Sequence, residues 1–185
     1  MINTVNNYMS NTYKIFAYGS LISQSSLKKT VPEARNIFPA ATHGLKRVFN
    51  LASTYRFDEQ QQAPVCVLSA EADAADSVMN GICFEMDEIS LDNLLRRESG
   101  YDFVRIQAHH YHDRKDILEA YYFRAKPAKP YRYLANSDAQ RHYLRLCLSG
   151  SAEFGTSFVE DFKRSTSFWG IDCEQTLSAI WQGDY

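Results

Sequence analysis

Glu98 is the side chain best placed by its neighbours to move a proton. It follows Leu91, Leu94 and Leu95 and precedes Gly100 and Tyr101. A carboxyl group held against apolar and aromatic walls has its pKa raised by desolvation, which suits a general acid/base. The competing reading is a solvated helix edge formed by Arg96, Arg97 and Glu98. Three other sets of residues invite chemistry. Ser20, in the stretch Tyr18-Gly19-Ser20-Leu21-Ile22, has a nucleophile's hydroxyl but lacks the G-x-S-x-G elbow, and no Asp and His stand out as its partners. His109, His110 and His112 have the types of metal ligands. On a strand His110 and His112 would share one face and His109 the other, and Asp113 could add an oxygen, but no further ligand with suitable spacing follows. A surface histidine cluster near a hairpin is the better reading, and no metal is expected. Cys66, Cys83, Cys147 and Cys173 form no C-x-x-C pair and sit in apolar runs such as PVCVL, GICFEM and LRLCL. They read as small buried hydrophobes in a reducing compartment, not as zinc ligands or redox pairs.

The elements that must position these groups follow from periodicity and turn chemistry. Residues 13–18 read as a strand that ends in Gly-Ser, where backbone N–H groups and a hydroxyl can face a ligand. SQSSLKKTV (23–31) reads as a short helix limited by Pro32. THGLKRVFNLAS (42–53) alternates as a half-buried strand, FDEQQQAP (57–64) is a polar loop, and PVCVLSAEA (64–72) and NGICFEM (80–86) are further strands. Residues 89–100 predict a helix capped by Ser90 and stopped by Gly100. YDFVRIQAHHY (101–111) and ILEAYYFRA (117–125) predict two strands, and AKPAKPYRY an extended linker. Helices are expected over 137–150 and 172–183, and a further one in TSFVEDFKRSTSF, where Ser157 and Glu160 have capping-box spacing and Phe158 and Phe162 lie one turn apart. Strands first and helices late favour an α+β fold with a mainly antiparallel, closed sheet.

The 185 residues suffice for one domain, expected over 13–185 behind a polar tail at 1–12 that is no signal peptide. Apolar residues make up 45% of the chain and charged residues 23%, values of a chain that buries a core without disulfides. The net charge of −2 gives no electrostatic case for nucleic acid or an anionic membrane, and no apolar run has the length of a span.

Three segments, in order, resemble the gamma-glutamylcyclotransferase superfamily, which includes the avirulence-induced-gene-type proteins. They are F-A-Y-G-S-L (16–21), L-L-R-R-E-S-G-Y (94–101) and Y-L-R-L-C-L-S-G-S-A-E-F-G (143–155), with Ser151 where the family usually has Ala. The resemblance spans residues 14–165. It implies a small closed, mixed β-barrel flanked by helices, with no cofactor. It also implies a cytoplasmic enzyme that converts a small gamma-glutamyl compound, such as a gamma-glutamyl amino acid or glutathione, to 5-oxoproline. Carried over residue by residue, Glu98 is the catalytic acid/base and Tyr18, Gly19, Ser20 and Leu21 form the loop that holds the gamma-glutamyl group. Tyr101 packs over the substrate or bonds Glu98. Tyr122, in E-A-Y-Y-F, is the pocket tyrosine, with Tyr121 its competitor on the opposite strand face. A catalytically silent member of the fold that binds such a ligand or a protein is the alternative.

Overall fold

The computed structural model describes residues 11–182, so all of the expected N-terminal tail except Asn11 and Thr12 lies outside the described residues. Five strands close a barrel in the order β1 (Thr12–Ala17), β5 (Val78–Asp87), β2 (Arg35–His43), β6 (Tyr101–His110) and β7 (Ile117–Ala125). All pairings are antiparallel except the closing one, where β7 meets β1 in parallel at Ile15 and Tyr121. The barrel is therefore mixed and mainly antiparallel, as the resemblance implies. Ile15, Phe16 and Ala17 are all buried although alternate strand residues face opposite sides. Both faces of β1 are thus covered, which explains its continuous apolar spelling.

A second sheet has the order β4 (Ala63–Ala72), β3 (Leu45–Asp58) and β8 (Thr166–Phe168). It corrects two expectations. Residues 42–53 are not one strand: β2 ends at His43, the chain turns at Gly44, and β3 runs on to Asp58, into the stretch read as a loop. The sequence reading also missed most of β2. Pro39 argues against a strand because it cannot donate to a ladder. β2 tolerates it beyond a register shift between Arg35 and Phe38, and the Pro39 carbonyl still accepts the Tyr111 N–H at 3.0 Å.

The helices are α1 (Gln24–Thr30), α2 (Glu88–Arg97), α3 (Asp138–Ala152), α4 (Thr156–Arg164) and α5 (Glu174–Gln182). Asp87, not Ser90, caps α2, its carboxylate accepting the Ser90 N–H at 2.8 Å. This satisfies one of the free N–H groups of the first turn and places a negative charge at the positive dipole end. Ser137 caps α3 by accepting from Gln140 at 3.0 Å. Gly155, at φ 101°, begins α4 without a side-chain cap, so the expected Ser157–Glu160 capping box does not form. Phe158 and Phe162 nevertheless share the buried face of α4. Cys66, Cys83 and Cys147 are buried, but Cys173 is exposed ahead of α5, contrary to the uniform burial expected. No helix among the described residues is long and apolar enough to cross a membrane.

Candidate active site

The chain leaves β1 at Ala17 and passes through Tyr18 and Gly19 into a 3-10 turn at Ser20–Ile22. Three contacts hold this loop. The Tyr18 hydroxyl donates to the Phe123 carbonyl on β7 at 2.6 Å. The Tyr18 carbonyl accepts from Arg47 Nε at 2.7 Å. From the other side α3 presses on the turn at Gly150, where an added Cβ would lie 2.4 Å from Ser23 N and 2.5 Å from Ser23 Cα. Only a residue without a side chain lets the two backbones approach so closely.

Arg47 is fully buried and has no ion pair among the described residues. Its guanidinium also donates to Asn80 Oδ1 at 3.0 Å and to Ser165, and it stacks on Phe162 with 4.3 Å from Cζ to the ring centroid. Asn80 in turn donates to the Phe158 carbonyl at 2.8 Å. Burial lowers the Arg47 pKa to about 9, which still leaves the group charged at neutral pH. A buried cation with neutral oxygen partners costs desolvation energy, which a hydrogen bond from each of its three nitrogens offsets. The network ties the Tyr18 carbonyl to β5 and α4.

Glu98 ends α2, and its backbone bridges two elements. Its N–H donates to Leu94 and its carbonyl accepts from Tyr101, both at 2.9 Å. The side chain is only 20% exposed, which decides against the solvated helix edge. Burial raises its pKa, and Arg97, with Nε 3.6 Å from Oε1, opposes the shift. Arg97 is itself held by a hydrogen bond to Thr30 Oγ1 at 2.6 Å. Tyr101 follows at the start of β6, and burial, then the Glu98 charge, pushes its phenol well above the ordinary value.

Two adjoining cavities meet at Glu98. The inner one, about 90 Å³, is walled by the end of β1 and by Tyr18, Gly19, Ser20 and Leu21, with Glu98, Tyr101, Phe123 and Tyr143 completing it. The outer one, about 350 Å³, lies under residues 51–56 of β3 and reaches Lys126–Ala128. Ser20, Glu98, Tyr101 and Tyr143 belong to both walls. Six of the seven residues singled out from the sequence are thus brought together. Tyr122 is not: it is buried with its ring 6.4 Å from that of Tyr18 and lines neither cavity. The β7 residue in the wall is Phe123, on the other strand face. Tyr121 is not in either wall and stacks on Phe103 at 4.5 Å.

Tyr143 was not expected at the site. It projects from α3, and a Cβ on Gly19 would come within 3.4 Å of its hydroxyl. Burial raises its pKa far above the ordinary tyrosine value. It opens the 143–155 segment, so the signal was present in the sequence but carried no position until α3 was docked on the loop.

The other chemical candidates lie elsewhere. No histidine lines either cavity, so Ser20 has no imidazole base. His109 is buried, with Nδ1 2.9 Å from the His110 carbonyl, and His110 stacks on Phe38. Among the described residues no group of three or more His, Cys, Asp or Glu is arranged to hold a metal ion.

No family model matches the sequence, and no curated protein matches it. Solved structures do. One described as a gamma-glutamyl cyclotransferase superposes with a TM-score of 0.67 at 15% identity, over 93% of this chain and 99% of the other. An uncharacterized protein from Homo sapiens gives 0.66 at 16% identity, covering 92% and 98%. A gamma-glutamyl cyclotransferase from yeast, described as specific to glutathione, gives 0.59 at 14% identity, covering 84% and 97%. The chain thus shares its fold, a closed barrel beside a second sheet with helices packed around both, with these solved structures, two of which are described as gamma-glutamyl cyclotransferases.

Proposed function

We propose that the protein is a gamma-glutamylcyclotransferase that converts a gamma-glutamyl compound to 5-oxoproline and releases the amine or amino acid. The observation that carries this reading is the partly desolvated Glu98 carboxyl, set in one cavity wall with Gly19, Ser20 and Leu21. The gamma-glutamyl group enters the inner cavity. Ser20 opens the 3-10 turn, so the first N–H groups of the turn have no carbonyl partner within it and are suited to a substrate carboxylate or carbonyl oxygen.

The reaction is intramolecular. The substrate alpha-amine attacks its own gamma-carbonyl, a C–N bond closes the five-membered ring, and the original gamma-amide C–N bond breaks. An alpha-amine titrates near ~7.7–8, so much of it is ammonium at neutral pH. Ionised Glu98 takes one proton from the ammonium, and protonated Glu98 gives it to the departing nitrogen as the gamma-amide bond breaks. The second proton, shed by the ring nitrogen as the ring closes, passes through the regenerated carboxylate to the released amine, which leaves in its ammonium form. One carboxyl serves both steps because burial moves its pKa toward neutrality. Tyr101 and Tyr143 wall the reacting atoms and exclude water, and folding the substrate into attack geometry supplies much of the acceleration.

The test is 5-oxoproline release from a panel of glutathione, gamma-glutamyl amino acids and gamma-glutamyl-lysine, with wild type and Glu98→Gln side by side. Release by wild type and none by the variant is the expected result. Equal release by both would overturn the role of Glu98.

A further inference from the structure

We infer that the outer cavity is a carboxylate-binding subsite built on Arg56, so that the preferred leaving group is an amino acid or peptide with a free carboxylate. The inference rests on the reaction proposed above, which puts the scissile amide at Glu98 and the leaving group in the outer cavity.

The charges in the outer wall are unbalanced. Arg56, Arg97 and Lys126 face Glu98 as the single acid. Arg97 is committed to Glu98 and Thr30. Lys126 spends one donor on the Ser99 carbonyl at 2.8 Å and keeps two. Arg56 has no ion pair among the described residues. Its guanidinium lies 5.1 Å from the centroid of Tyr143, the residue shared by both cavities. Stacking occupies the face of a guanidinium and leaves its in-plane N–H fork for a planar anion.

The backbone aims Arg56 at this cavity. The β3–β4 ladder shifts register once between Phe49 and Leu51, pairs again at Ala52 and Cys66, then breaks until Phe57 and Pro64. The interrupted residues Ser53, Thr54, Tyr55 and Arg56 all line the outer wall. Ser53 Oγ accepts the N–H groups of Tyr55 at 3.2 Å and Arg56 at 2.9 Å, which fixes the irregular turn. Interrupted ladders of this kind re-aim side chains toward sites. A neutral amine gains nothing from the unpaired Arg56, and a second ammonium on the leaving group is repelled by it.

The test compares gamma-glutamyl-alanine with gamma-glutamyl-ethylamine, which differ by the carboxylate alone. Affinity is measured by calorimetry on Glu98→Gln, and kcat/KM on wild type. A roughly 10- to 100-fold preference for gamma-glutamyl-alanine is expected, the range of a charge-assisted hydrogen bond. Arg56→Met should remove most of that preference, Arg56→Lys should keep part of it, and added salt should weaken it. Equal affinity for the two ligands, or a preference unchanged in both Arg56→Met and Lys126→Met, would overturn the subsite. So would a failure of both ligands to bind. Preferential binding that depends on Arg56, without 5-oxoproline release, would keep the subsite and remove the proposed reaction. Equal turnover of both compounds would do the reverse.

Discussion

Arg47 Nε donates to the Tyr18 carbonyl at 2.7 Å, one residue before Gly19. A fully buried guanidinium on the second sheet thereby sets the direction in which the first barrel strand delivers its loop to the candidate site. Arg47 touches neither cavity, so its part is to position.

Replacing Arg47 should therefore cost both stability and loop geometry. Arg47→Ala leaves the Tyr18 carbonyl and Asn80 unsatisfied and opens a void beside Phe162. We expect a loss of about 2–5 kcal/mol in urea unfolding. Arg47→Lys fills much of the volume but cannot present a planar fork to three acceptors in different directions. It should recover part of the stability while kcat stays low. Wild-type stability in Arg47→Ala would show that the network is dispensable.

Glu98→Gln keeps the size and loses the proton. With the proposed chemistry, kcat should fall by at least ~10²-fold, the usual share of a general acid/base, while ligand affinity changes little. Single-turnover measurement of 5-oxoproline separates this from a binding defect.

The raised Glu98 pKa also predicts a pH-dependent stability difference. Between the unfolded and the higher folded pKa the folded state holds more protons, so stability falls as pH rises through that window. Above it the folded protein carries a partly desolvated charge that glutamine does not. Glu98→Gln should thus melt at a higher temperature than wild type near neutral pH. The gap should close as the pH drops below the ordinary carboxylate value. A constant gap across pH would assign it to another cause. The same shift places the acid limb of the kcat/KM profile above the ordinary carboxylate range.

Gly150→Ala sets two effects against each other. Alanine favours a helix over glycine by roughly 1 kcal/mol. The new Cβ would lie within 2.5 Å of the Ser23 backbone, and overpacking of this kind costs about 1–3 kcal/mol or more. Clash should win, with a lower melting temperature and weaker ligand binding, because α3 can relax only by moving the Ser20–Ile22 turn. A melting temperature above wild type would show that helix propensity wins.

The sequence made some features legible because their signals are local. The leucine-faced α2, though not its cap, and the strand-loop at residues 16–21 were readable in this way, and they deliver Glu98 and Ser20. The boundary between β2 and β3 was not, because Pro39 and the turn at Gly44 disguised a strand that only tertiary pairing specifies. The β7 residue of the wall was not legible for a different reason. A strand's two faces look alike until neighbours are known, and the inner wall takes Phe123, from the face opposite Tyr122. Arg47 lies among the alternating residues of a strand, and Arg56, with Asp58 and Glu59, in a polar segment whose only legible role is to close over the mouth of a site. Their meaning comes from what is packed against them across the fold.

The closing stitch of the barrel has one further consequence. β6 and β7 are laced from Tyr101 to His109, whereas among the described residues β1 and β7 share only the pair at Ile15 and Tyr121, extended by the Tyr18 hydroxyl on Phe123. Those same residues, except Tyr121, border the inner cavity. The hoop is thus thinnest where it borders the inner cavity. Local opening favours segments held by few paired strands, so the amides of Ile15–Tyr18 should exchange with solvent faster than those of β6, a difference that hydrogen exchange reads directly.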